Sequence, residues 1–295
     1  MILEKAEAAA LSRLFSSSVI RELCKNSCSP LFANLVSKTR LSQNSYMKKT
    51  VGEVYDDAFD ILRKSELRDD YIFRSAVVRK ILLGRHSLNT ATLLNEVRTG
   101  ACKADLAVLN GTSSAYEIKS DRDSLEKLHR QISSYRSVFA NVYVVTNKAN
   151  VGKVLAAVPE DVGVIILTDR FTLRTERPSI NRPERIDPTM LFEVLRVGEA
   201  FEVLTRMGID VPEVPNTQIY DVLRNIFSQL DPVVLHKTVI PVLKSSRSQL
   251  QMSGFITEIP VSLKTASLTL NLSEPSRIQL RQAIDTRMQE ACSWR

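Results

Sequence analysis

One stretch of the sequence, residues 103–119, constrains the fold more than any other, because it reads KADLAVLNGTSSAYEIK and predicts a β-hairpin. Apolar and polar residues alternate on both sides of the polar turn NGTSS. Since strand side chains alternate with period two, Glu117 and Lys119 share one face. A turn centred near Thr112 would set Asp105 almost opposite Lys119, with Glu117 on the same surface. Burying three such side chains costs free energy, which indicates a functional site.

Coarser patterns predict the order of the elements around the hairpin. Helical spacing predicts helices before the hairpin, and runs of β-branched and apolar residues predict buried strands after it. A strand, a helix and a further strand at this spacing form a βαβ unit with parallel strands. The predicted elements are helices within 51–85, a short strand over 90–97, the hairpin, a helix over 121–138, strands over 142–146 and 162–168 with a helix between them, and an edge strand over 171–177.

The helix that follows the hairpin is predicted to begin directly after Lys119. Ser120 and Asp123 are spaced as in a capping box, which marks a helix start. Gln131 and Tyr135 lie four residues apart along this helix, within its apolar stripe. We therefore expect both side chains to face the sheet near the hairpin.

The rest of the chain divides by composition into helical segments around this core. A Ser-rich, partly basic lead precedes it, and a Pro-punctuated linker follows the edge strand. The predicted division is a helical N-terminal lead over 1–50, an α/β core over 51–177, a helical region over 187–247, and a tail over 248–295 with a possible short hairpin and a helix.

Composition sets limits on the class of protein. Forty Lys and Arg against 33 Asp and Glu give a net charge of +7, which favours a nucleic-acid partner mildly. The four cysteines and three histidines do not form a zinc-binding or CxxC pattern, and free thiols are typical of a reducing compartment. The N-terminus does not resemble a signal peptide, and no apolar run is long enough to span a membrane. We expect a cytoplasmic protein without a membrane partner.

The pattern of Asp105, Glu117 and Lys119 is D…ExK, and at these residues the chain resembles the PD-(D/E)XK nuclease superfamily. The predicted element order matches the αβββαβ, restriction-endonuclease-like core of that superfamily, a mixed sheet flanked by helices. Gln131 and Tyr135 form QxxxY, which resembles the helix motif of the RecB-type branch. The wider stretch over 95–139 is similar to the uncharacterised sce-named and MmcB-like bacterial groups. One departure is an Ala at 104, where a Pro often precedes the Asp.

The resemblance implies an Mg²⁺-dependent nuclease that hydrolyses DNA, in repair, mobile-element biology or defence, with Mn²⁺ as an alternative cation. It implies that Asp105, Glu117 and the main-chain carbonyl of Ile118 bind the metal, and that Lys119 assists the metal-activated water. Hard oxygen ligands suit these cations. Three residues have supporting roles in this interpretation: Glu96, Gln131 and Tyr135.

Two other classes of function stay open at this point. Asp105 and Lys119 could form a plain cross-strand ion pair on an exposed sheet face, which contributes little energy. The protein could also be a module on the same fold that binds nucleic acid without catalysis. Alternatively, the helical region over 187–247 could bind a protein partner or a second copy of the chain, with the core as a scaffold. The intact Asp, Glu and Lys set favours the catalytic interpretation.

Overall fold

A six-stranded mixed sheet forms the centre of the computed structural model, which describes residues 4–64, 68–120 and 123–294. The strands lie in sequence order, β1 to β6. The inner pairs β3–β4 and β4–β5 are parallel, and the other neighbouring pairs are antiparallel. The strands are β1 Thr92–Thr99, β2 Cys102–Leu109, β3 Ser113–Ile118, β4 Asn141–Thr146, β5 Gly163–Leu167 and β6 Leu173–Arg177.

Helices cover both faces of this sheet, so the protein is α/β with a mixed sheet flanked by helices. The described helices are α1 Lys5–Leu14, α2 Ser17–Asn26, α3 Pro30–Val36, α4 Val51–Lys64, α5 Asp70–Val77, α6 Leu128–Arg136, α7 Val151–Ala157, α8 Pro188–Phe192, α9 Val197–Arg206, α10 Asn216–Ser228, α11 Pro232–Ser246, α12 Ser253–Glu258, α13 Lys264–Leu270, α14 Glu274–Asp285 and α15 Met288–Ala291. The predicted helices before the hairpin, the parallel βαβ unit and the edge strand are confirmed. No helix of the described part of the chain is long and apolar enough to cross a membrane.

The hairpin of β2 and β3 has a shorter turn than the sequence predicts. Leu109 pairs with Ser113, so the turn comprises Asn110, Gly111 and Thr112, and the Asn110 N–H donates to the Thr112 carbonyl over 3.1 Å. The φ of +102° at the central residue suits glycine. The prediction of a turn centred near Thr112 is therefore wrong by one residue. Continuing the observed register places Asp105 across from Glu117, not across from Lys119.

The segment after β3 also differs from the prediction, because α6 begins at Leu128 rather than directly after Lys119. The Lys119 N–H donates to the Val145 carbonyl and so prolongs the β3–β4 ladder. The Asp123 carboxylate then accepts hydrogen bonds from the N–H and hydroxyl of Ser120. Residues 121 and 122, where the predicted helix began, lie outside the described residues.

Two apolar cores lie on opposite faces of the sheet, as alternation along the strands requires. Leu106 and Val108 of β2 face the core that the N-terminal lead, α4, α5 and the tail helices build. Ala107 and Leu109 face the core of α6 and the region 187–247. The lead and the tail thus share one core, although they lie at opposite ends of the chain.

The predicted short hairpin in the tail is wrong, since the alternating segment SLKTASLTLNL contains helix α13. Leu263, Ala266 and Leu270 are spaced by three and four residues, so the same apolar residues also fit a helix. The segment buries Leu263, directly before the helix, and Ala266 within it in the core with the lead, and the Thr269 hydroxyl donates to the Thr265 carbonyl. Packing against that core outweighs the local strand propensity.

A buried histidine ties α11 to the hairpin and gives the fold a pH dependence. Nε2 of His236 lies 2.9 Å from the Ser113 hydroxyl, which also accepts the Ala140 N–H. Burial lowers the pKa of His236 to about 4. Because the unfolded chain takes up a proton near pH 6.5 and the folded protein does not, stability is full above that pH and falls as the pH drops towards 4.

We expect wild-type protein to lose up to about 3 kcal/mol of unfolding free energy between pH 7 and pH 4 through this histidine. His236→Gln removes the titrating group and should lose correspondingly less over the same interval. Urea unfolding of both proteins at several pH values, compared as a difference, measures the effect. Parallel pH profiles for the two proteins would contradict the assignment.

Candidate active site

The strands β2 and β3 separate at the point where the predicted site residues lie. The last pair of their ladder is Leu106 with Tyr116. Beyond it, the Ile118 N–H donates to Oδ2 of Asp105 over 2.8 Å. A side-chain carboxylate therefore accepts the hydrogen bond that a strand carbonyl accepts in a regular ladder, and the backbone of β3 fixes the orientation of Asp105.

Asp105 also contacts Arg74, which projects from α5 on the other side of the sheet. Nη2 of Arg74 lies 2.8 Å from Oδ1 of Asp105. Burial and, after it, the negative charge of Glu117 raise the pKa of Asp105 to about 6, although Arg74 acts in the opposite direction. Two carboxylates close enough to repel each other occupy one face of the hairpin.

Glu117 and Lys119 form a buried ion pair on β3. Nζ of Lys119 lies 2.8 Å from Oε1 of Glu117, and the two residues are 7% and 2% exposed, respectively. The other carboxylate oxygen, Oε2, accepts the hydroxyl of Tyr135 over 2.7 Å. Both oxygens of Glu117 thus have a donor, as a buried carboxylate requires.

The helix α6 supplies the two residues of the QxxxY motif, and both reach the site. Nζ of Lys119 donates to Oε1 of Gln131 over 2.9 Å. The hydroxyl of Tyr135 also lies 2.5 Å from the Lys103 carbonyl of β2. Burial and the charge of Glu117 raise the pKa of Tyr135, so the phenol stays protonated as a hydrogen-bond donor. The structure therefore brings Gln131 and Tyr135 together with Glu117 and Lys119.

Glu96, the predicted additional acid, lies apart from the other carboxylates of the site. Its backbone φ is +49°, in the left-handed region, and its side chain is 55% exposed. The carboxylate forms an ion pair with Nζ of Lys103 at 3.4 Å, on the exposed surface. For Ile118, the N–H is the group in contact with Asp105, and the metal-binding role of its carbonyl stays a prediction.

Sequence reasoning missed Arg74, together with two residues that hold its guanidinium. Nε of Arg74 lies 2.5 Å from Oδ2 of Asp70, and Nη1 lies 3.0 Å from Oδ1 of Asn95. The spacing of Asp70 and Arg74 in a predicted helix indicates an ion pair within that helix. It gives no sign that the same guanidinium reaches Asp105 on β2.

Asp105 and Glu117 are the carboxylates of this site that could hold a cation together. Within the described residues, no group of three or more His, Cys, Asp or Glu side chains is close enough to form a metal site. A cation here would therefore take two carboxylates and fill its other positions with backbone oxygen, water or substrate. That ligand set fits Mg²⁺, which keeps several waters in its protein sites.

The geometry defines an α/β protein with a buried acidic and basic cluster where two strands separate. The family described as Bacteriophage P4 protein cII matches residues 63–267, which is more than half of the chain and includes every residue of this cluster. The chain therefore belongs to the Bacteriophage P4 protein cII family.

One curated relative is Protein cII of Enterobacteria phage P4. It is 41% identical over 80 residues, which cover 26% of this chain and 30% of the phage protein. The chain thus matches less than a third of the length of that relative. No solved structure matches the chain significantly.

Replacing Tyr135 by Phe tests how much the buried donor stabilises the site. The change leaves Oε2 of Glu117 and the Lys103 carbonyl without the phenol hydroxyl, so we expect a loss of about 1–3 kcal/mol in unfolding free energy. Tyr220→Phe is the matched control, since Tyr220 is half-exposed on α10 and its change should cost less than about 0.5 kcal/mol. Equal losses in the two variants, measured by urea unfolding, would refute this role of Tyr135.

Proposed function

We propose that the protein is an Mg²⁺-dependent nuclease that hydrolyses phosphodiester bonds in DNA. The observation that carries the proposal is the opening of the β2–β3 ladder at Asp105, with Glu117 and Lys119 on the same face. A sheet interior filled only for stability would favour apolar side chains here, because buried ion pairs seldom stabilise a fold more than apolar residues of similar volume do.

We further propose that the sheet has a restriction-endonuclease-like core. The helix α5, the strands β1 to β3, the helix α6 and the strand β4 follow each other in the order αβββαβ. The three residues of the D…ExK pattern lie on the second strand and at the end of the third strand of this unit, as the resemblance implies. The QxxxY helix packs against the same face, through Gln131 and Tyr135.

Asp105 and Glu117 are the proposed ligands of the cation, with the carbonyl of Ile118 as a third. Burial and the charge of Glu117 raise the pKa of Asp105, so a second negative charge beside Glu117 is disfavoured. A divalent cation between them would relieve that repulsion. When bound, Mg²⁺ supplies an acidified water and offsets negative charge on the phosphate.

The side chains around the carboxylates have separate roles in this proposal. An ammonium group carries three N–H donors, and Lys119 directs two of them to Glu117 and Gln131. The third can donate to the attacking water or to a phosphate oxygen, where negative charge develops. Gln131 therefore positions Lys119, and Tyr135 positions Glu117 through its hydrogen bond to Oε2.

Exposed cations beside the site support a nucleic-acid substrate. Arg98 of β1 and Lys103 of β2 are paired in register and both are exposed. Arg130, exposed on α6, precedes Gln131 by one residue, and its carbonyl lies 4.0 Å from Sγ of Cys102 on β2. Three basic side chains on neighbouring elements can contact successive phosphates, which makes binding dependent on salt.

The test is cleavage of DNA by the full-length protein with Mg²⁺ or Mn²⁺. Asp105→Asn and Lys119→Met should each lower the cleavage rate by about 100-fold or more, because each removes a group that acts on developing charge. Asp210→Asn, which changes an exposed acid after α9, is the control and should leave the rate unchanged. Thermal unfolding of each variant shows whether it is folded.

Two results would overturn the proposal. One is a wild-type protein that cleaves neither single-stranded, duplex nor branched DNA with either cation. The other is cleavage that persists at the wild-type rate in Asp105→Asn and Lys119→Met. Salt-dependent DNA binding without cleavage would favour the non-catalytic alternative, in which the same fold binds nucleic acid.

A further inference from the structure

Arg74 is the basic residue that connects the active-site carboxylate to elements outside the D…ExK pattern. Its guanidinium contacts three side chains on three elements: Asp70 on its own helix, Asn95 on β1 and Asp105 on β2. The Arg74 side chain is only 16% exposed, whereas that of Asp70 is 50% exposed. The guanidinium is thus fixed from the solvent side by Asp70 and directed inward at Asp105.

We infer that Arg74 is a further catalytic residue: it holds Oδ1 of Asp105 in the absence of a divalent cation, would give up that oxygen to a bound cation, and would then donate to the substrate phosphate. This inference rests on the proposed nuclease function and adds a residue to it.

The two oxygens of Asp105 differ in how they are held. The Ile118 N–H holds Oδ2, and this donor belongs to the backbone of β3, so it cannot withdraw unless the strand moves. Nη2 of Arg74 holds Oδ1, and this donor belongs to a side chain, so it can withdraw without movement of a strand. Oδ1 is therefore the oxygen that a cation can take. A guanidinium and a divalent cation repel each other and compete for the same oxygen.

The charges of the site explain why the Arg74 guanidinium can release Asp105 and still stay near the substrate phosphate. Asp70, Asp105 and Glu117 give the site three carboxylates, and Arg74 and Lys119 give it two cations. A divalent cation changes the net charge from −1 to +1, which favours binding of an anionic phosphate diester. Asp70 keeps its contact to Nε throughout, so the released Nη2 stays within reach of that phosphate. A guanidinium is well suited to bind phosphate oxygens.

A purely structural role of Arg74 predicts a different result. If Arg74 only fixes α5 to the sheet, its removal should weaken the fold, the binding of cation and the cleavage rate together. If Arg74 and the cation compete for Oδ1, its removal should strengthen cation binding while it slows cleavage. The two roles therefore separate in a comparison of binding with rate.

The experiment measures Mn²⁺ binding by isothermal titration calorimetry and DNA cleavage in the full-length protein. Arg74→Gln should bind Mn²⁺ about tenfold more tightly than wild type, because a cation adjacent to the carboxylate is gone. It should cleave about 100-fold more slowly, because a phosphate donor is gone. Lys80→Gln removes one exposed positive charge from the helical turn that continues α5, and it should match wild type in both measurements.

The possible outcomes separate the inference from the proposed function. Wild-type protein that binds Mn²⁺ and cleaves, with an Arg74→Gln variant that binds Mn²⁺ equally or less tightly, would overturn the inference alone. Wild-type protein that neither binds Mn²⁺ nor cleaves would overturn the proposed function. If Arg74→Gln does not fold, Arg74→Lys replaces it: the shorter reach to Asp70 and phosphate should slow cleavage, and an unchanged rate would overturn the inference.

Discussion

The hydrogen bond from the Ile118 N–H to Asp105 is the interaction on which the rest of the site depends. The β2–β3 ladder ends at Leu106 and Tyr116, and this hydrogen bond gives the Ile118 N–H an acceptor beyond it. Because the acceptor is a carboxylate, the separation of the strands also brings a negative charge beside Glu117. The fold thus creates an opening in its sheet and places two carboxylates there, with their hydrogen-bond donors around them.

The elements around that opening supply the side chains that compensate the buried charges. Lys119 lies at the end of β3, where the parallel ladder to β4 continues and holds its backbone. Tyr135 contacts both Glu117 of β3 and the Lys103 carbonyl of β2, so α6 spans the two strands that have separated. Arg74 reaches Asp105 from α5, which packs in the other core. Each carboxylate oxygen of the pair therefore has a donor, and the donors come from both faces of the sheet.

Those features that depend on local pattern could be predicted from the sequence. Alternation along the hairpin places Asp105, Glu117 and Lys119 on one face, and helical spacing brings Gln131 and Tyr135 onto the side of α6 that faces them. The predicted turn centre is wrong by one residue, and the pairing of Asp105 is consequently wrong by two. The hydrogen bond from the Asn110 N–H to the Thr112 carbonyl closes a shorter turn, which local composition does not reveal. The contact of Arg74 with Asp105 spans 31 residues, and no periodicity reports a contact of that kind.

The delayed start of α6 has a consequence for the reach of its side chains. Had the helix begun directly after Lys119, its first turn would have been joined to the end of β3 without a spacer. The hydrogen bonds from Ser120 to the Asp123 carboxylate lie instead between the end of the strand and the start of the helix. Because α6 runs from Leu128 to Arg136, Gln131 lies in its first turn and Tyr135 is its penultimate residue, close to the start of β2 and the end of β3. Gln131 can then meet the ammonium of Lys119 while Tyr135, one turn further along, meets the carboxylate of Glu117.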